Sequence, residues 1–205
     1  MMMRLATILV AAAFVSWGSA VGALHQGRSL DIDPARSRVS IAVDKSGVFS
    51  FAGHTHMVEG PIRGRVTLDR EQLERSTVRL EIDAASLKVN PKGEPAGDVP
   101  KVQRAMETTV LDIARHPTIA FQSTAVSVRA RKGSDIGLTL QGRLTLHGVT
   151  RAVSIPANVE LGADDLAARG RLSVKQTDYG IKPVSVGGVV NVKDAVTIDF
   201  VIVAR

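Results

Sequence analysis

From Ile32 onward, apolar and polar residues alternate one for one in stretch after stretch. A side-chain period of two leaves a chain few options besides half-buried strands. Val39, Ile41 and Val43 alternate with Ser40, Ala42 and Asp44, and Ile62, Val66 and Leu68 with Arg63, Arg65 and Thr67. Val78, Leu80 and Ile82 repeat the pattern against Thr77, Arg79 and Glu81, and Ile119 and Phe121 lead a further strand. Leu138, Leu140, Leu144 and Leu146 face away from Thr139, Gln141, Arg143 and Thr145, and Val153, Ile155, Val159 and Leu161 make another. Leu172 and Val174 oppose Arg171, Ser173 and Lys175, and Val196, Ile198, Phe200 and Ile202 form the C-terminal strand. This predicts about eight strands, the number at which a closed sheet leaves room for side chains or one slim ligand.

One segment departs from the alternation. After the Pro/Gly-rich loop Asn90 to Gly97, Asp98 is placed to cap a helix in which Val102, Met106 and Val110 recur at helical spacing. The helix ends before His116-Pro117 and reads equally as a lid for one mouth of a barrel or as a simple crossover. Gly64, Gly142 and Gly170 share the apolar face of their strands, where a glycine marks a bend, a bulge or a close approach, and would leave interior volume unfilled.

The N-terminus follows another logic. Arg4 precedes the apolar run Leu5 to Val15, and small residues follow at Gly18-Ser19-Ala20 and Val21-Gly22-Ala23. That is the layout of a secretory signal peptide, with cleavage expected after Ala23, so residues 1–23 are read as signal and 24–205 as one domain. An uncleaved membrane anchor is the alternative, since Leu5 to Leu24 carries no charge.

Composition narrows the chemistry. With no cysteine, thiol catalysis, disulfides and Cys-based metal sites are excluded. The formal net charge of +6 is dispersed between apolar residues, at Arg63, Arg79, Arg143 and Arg171 for example. Dispersed charge suits a solvated sheet face, not a nucleic-acid footprint, and supports only loose, transient attraction to an anionic membrane surface. There is no Gly-x-Ser-x-Gly and no Gly-rich loop opening a helix. No catalytic constellation and no cofactor are expected.

Five segments in order resemble the YceI-like family of exported lipocalin-like proteins. They are Asp31-Ile32-Asp33-Pro34-Ala35-Arg36-Ser37-Arg38-Val39, Phe51-Ala52-Gly53-His54-Thr55-His56, Val110-Leu111-Asp112 with His116-Pro117-Thr118-Ile119-Ala120-Phe121-Gln122-Ser123-Thr124, Gly142-Arg143-Leu144-Thr145-Leu146-His147-Gly148-Val149-Thr150-Arg151, and Thr177-Asp178-Tyr179-Gly180-Ile181. The resemblance implies an all-β fold with one inserted helix, an elongated eight-stranded antiparallel lipocalin-like barrel. It also implies a periplasmic or secreted protein, often a homodimer, whose tunnel accepts an isoprenoid lipid or quinone-like amphiphile. One departure is Gln176, where relatives often have Arg two residues before the Asp of the last turn.

Under that resemblance the expected tunnel lining is Phe49, Phe51, Ile62, Phe121, Leu140, Leu144, Leu172 and Phe200, with Met106 as an adaptable plug. His54 and His56 project to one face of a strand, which leaves three readings open: a polar cavity mouth, plain hydrogen bonding, or a metal or redox centre. Two imidazoles alone are too few for a metal site, and no metal is expected. Tyr179 is either a hydrogen-bond donor to a head group or packing. A packed, ligand-free structural or stress-protective module is the remaining alternative.

Overall fold

A computed structural model describes residues 27–46, 55–92, 97–186 and 190–205. The expected signal segment 1–23 and three expected lining residues, Phe49, Phe51 and His54, lie outside the described residues. In chain order the strands are β1 (Arg28–Asp31), β2 (Arg38–Val43), β3 (Lys45–Ser46), β4 (His56–Pro61), β5 (Arg63–Leu68), β6 (Thr77–Asp83) and β7 (Lys88–Val89). Helix α1 (Val99–Ala105) follows, then β8 (Thr118–Lys132), β9 (Asp135–Leu146), β10 (Val149–Leu161), β11 (Leu166–Lys175), β12 (Ser185–Val186), β13 (Val190–Val192) and β14 (Ala195–Ala204).

Among the described residues the fold is all-β and antiparallel with one α-helix. Eleven strands make one sheet in the order β1-β5-β6-β8-β9-β10-β11-β14-β2-β4-β7, and β12-β13-β3 make a small second sheet. The large sheet curls into a half-barrel around one core. The strands outnumber the expected eight for local reasons. Residues 56–68 form two strands, β4 and β5, divided at Ile62, and β1 and β7 add short pieces at the edges. The period-two reading holds best in β9, where Ile136, Leu138, Leu140, Leu144 and Leu146 are all buried. At about 3.3 Å per residue the 15 residues of β8 span roughly 50 Å, so the sheet is long along its strands. Register shifts in β8, between Ser123 and Ala125 and between Val128 and Ala130, add local twist to this strand.

The ends of the strand order approach one another through the chain itself. β4 pairs with β2 and β5 with β6, yet only Ile62 separates them, buried and with its N–H donating to Ser37 O at 3.2 Å. Gly64 makes the path possible at φ +142, where an added Cβ would overlap the Arg79 carbonyl. At the end of β1, Asp31 and Arg205 exchange backbone hydrogen bonds of 2.9 and 3.0 Å, and Ile32 bridges Ala204.

Two expectations need correction. The inward glycines do not leave open volume, because the Phe121 ring lies over Gly142 and the Phe200 ring over Gly170. Asp98 does precede α1, but its carboxylate faces Lys101 Nζ at 3.3 Å and caps no backbone N–H. The helix starts instead with Pro100 in its first turn, and it widens into one π-turn over Met106–Val110. Gln103 ties it to the sheet edge, since its Oε1 accepts from Val89 N at 2.9 Å and its Nε2 donates to Leu87 O at 2.9 Å. The segment thereby covers β7, which would otherwise present an open strand edge.

Candidate functional site

The inner face of the curled sheet encloses a cavity of about 210 Å³. Its walls come from alternate residues of the strands, and the helical segment contributes Met106, Val110 and Leu111. Among the described lining residues, only Ser76 and Gln176 carry polar side chains. Ser76 Oγ accepts from Asp69 N at 3.0 Å, and Gln176 Nε2 donates to Lys193 O at 2.9 Å. Both are nearly buried, at 9% and 6% exposure. They lie toward opposite ends of the strands, Ser76 at the start of β6 and Gln176 just after β11.

A volume near 210 Å³ exceeds the ~150 Å³ hollow that takes up benzene and falls short of the roughly 300–1,000 Å³ of sites for drug-sized ligands. It suits a slim hydrocarbon segment. Among the described residues no titratable side chain lines it, so this wall offers desolvation and dispersion, with an amide and a hydroxyl as its polar contacts.

Of the residues expected at the site, Ile62, Met106, Phe121, Leu140, Leu144, Leu172 and Phe200 all stand in this wall. Two do not. Tyr179 is buried at 2% exposure but lies outside the wall, in the turn after β11, where burial and then the neighbouring Asp178 push its phenol above the ordinary value of 10.0. His56 begins β4, partly exposed and paired in register with Val43, and is likewise not part of the wall.

Sequence reasoning missed Ser76, and singled out Gln176 only as a departure from relatives, because each is buried beside a turn, where alternation gives no inward or outward assignment. It also missed a cluster on the outside of the fold. Asp112, His116 and His147 converge from two turns, with the two imidazole centroids 4.5 Å apart.

By class, fold and cavity define an antiparallel β protein with an internal apolar site. The chain belongs to the YceI-like domain family, whose model matches residues 30–204. Relatives include a UPF0312 protein of Pseudomonas savastanoi pv. phaseolicola, 27% identical over 155 residues, which cover 68% of this chain and 75% of that protein. A UPF0312 protein of Azotobacter vinelandii matches at the same identity and coverage. Among solved structures, BcnA of Burkholderia cenocepacia superposes with a TM-score of 0.63 at 22% identity, covering 85% of this chain and 100% of that one. A polyisoprenoid binding domain from Saccharophagus degradans, implicated in plant cell wall breakdown, gives 0.63 at 16% identity, covering 88% and 99%. At these identities the structural likeness speaks to the fold.

Proposed function

We propose that this protein is an exported carrier that holds a polyisoprenoid or similar amphiphile in its apolar cavity and performs no covalent chemistry on it. The observation that carries the reading is a wall of aliphatic and aromatic side chains interrupted, among the described residues, only by Ser76 and Gln176. At ~0.8 kcal/mol per buried CH₂, each isoprene unit contributes roughly 3 to 4 kcal/mol before ordering costs, so such a ligand needs no charged anchor. Leaving 210 Å³ of apolar space unfilled forgoes about 5 kcal/mol of packing at ~24 cal/mol per Å³, which favours occupancy.

Taken as one bent strand, β4 and β5 turn the strand order into a ring of eight, the barrel of lipocalin-like proteins, with β1 and β7 as appendages. The relative described as a polyisoprenoid binding domain supports the ligand class. The layout of residues 1–23 supports export to the periplasm or beyond. Homodimerisation and transient contact with a membrane surface belong to the same reading.

The test is organic extraction and native mass spectrometry of the purified mature protein. A co-purifying isoprenoid-class lipid in stoichiometric amount is expected, and Leu140→Trp, which fills the cavity, is expected to abolish it while the fold persists. Recovery of no lipid, together with no saturable uptake of an added prenyl alcohol or quinone, would overturn the proposal in favour of a packed module.

A further inference from the structure

The turn that follows the helical segment and the hairpin between β9 and β10 place Asp112, His116 and His147 together, with ligand atoms all within 4.8 Å of one another. We propose that these three residues form a binding site for a divalent transition-metal ion of the zinc class, with the fourth position left to water. The inference is independent of the lipid reading.

Two imidazoles and one carboxylate are a donor set suited to zinc, and three protein ligands leave a tetrahedral ion one open position. All three side chains are partly exposed, so an ion and its water can reach them. Each ligand is already oriented. The N–H groups of Arg115 and His116 both donate to Asp112 O at 2.9 Å, closing a tight turn that brings Asp112 and His116 to one side. Arg115 engages Asp112 Oδ2, which leaves Oδ1 for an ion. His147 Nδ1 lies 3.3 Å from Tyr179 O; a carbonyl only accepts, so that nitrogen carries the proton and Nε2 keeps its lone pair for metal.

The backbone points the same way. Among the described residues, the non-glycine residues at positive φ are Asp112 at 45° and His147 at 51°, both members of the cluster. With Gly148 at φ 73°, His147 occupies the two-residue turn between β9 and β10, a position where asparagine is the ordinary choice. Histidine also tolerates this left-handed position, and the tight turn presents its imidazole to His116 at a centroid distance of 4.5 Å. Gly148 in turn makes room for the other one, since an added Cβ would stand 2.7 Å from His116 Cε1. A bound ion would brace the exit of the helical segment, whose Leu111 lines the cavity, against the hairpin.

Calorimetric titration of the chelator-stripped full chain with Zn²⁺ tests this. One equivalent is expected to bind, and His147→Asn, which suits the turn but removes a ligand, is expected to weaken binding by about 100-fold or more. Asp112→Asn, close to isosteric, is expected to act in the same direction, and circular dichroism with melting in chelator reports whether either variant keeps the fold. Folded variants that bind Zn²⁺ as the parent does, as they would if His25, His54 or His56 held it, overturn the proposal. So does a parent protein that takes up no Zn²⁺.

Discussion

Gly142 and Gly170 show how much a single hydrogen in place of a side chain controls here. Each supports a phenylalanine ring from a neighbouring strand, Phe121 of β8 and Phe200 of β14, and both rings form part of the cavity wall. Replacing either glycine with valine forces its ring toward the cavity. The expected cost is about 1–3 kcal/mol, read as a lowered urea midpoint, with lipid uptake reduced in parallel. Acid sensitivity is also a residue-scale matter. Asp44, Asp112 and Asp194 are held below the ordinary 3.8, first by hydrogen bonds from the Thr55 hydroxyl, the Arg115 guanidinium and the Thr177 backbone N–H respectively. Because the unfolded chain takes up protons at higher pH than these folded carboxylates do, their stabilisation is present above 3.8 and lost as pH falls through and below it. The urea midpoint should therefore hold near neutrality and decline below about pH 5. A midpoint unchanged down to about pH 3 would contradict this. The lining residues Leu140, Leu144 and Phe200 were legible in the sequence because alternation assigns a face. The rings over the glycines were not, because which neighbour covers Gly142 depends on strand register.

At the scale of elements, the helical segment depends on one amide. Gln103 satisfies the backbone of Leu87 and Val89 and also reaches Glu107, so it joins α1, its π-turn and β7. Gln103→Leu leaves a donor and an acceptor unpaired at about 1–3 kcal/mol, and the first consequence should be faster amide exchange at Val89 with the long strands still protected. Unchanged exchange there would show that the edge is held by other contacts. The helical spacing of Val102, Met106 and Val110 was readable, and all three pack on or within the core. The choice between lid and crossover was not. It turns on Gln103, whose partners are backbone groups that any sequence would supply. Strand β4, ahead of the strand expected from Ile62, was hidden for its own reason: of its two buried positions, Val58 carries an apolar side chain and Gly60 carries none, so alternation has little to show.

For the molecule as a whole, most of the fold follows from long alternating strands, and the cavity follows from their curvature around side chains of moderate size. The metal cluster belongs to this scale too, since Asp112 and His147 are 35 positions apart and meet only once β8 and β9 are paired. The same architecture sets the order in which the protein can come into being. Strand β14 lies between β11 and β2, and Arg205 pairs with Asp31, so β1 and β2 are held by residues far along the sequence. Contacts this remote in sequence carry a large loop-closure entropy and form slowly. Until β14 is in place, the sheet therefore lacks the strand that joins its two halves. During that interval the sheet stays open between β11 and β2, and the inner apolar face is without one of its walls.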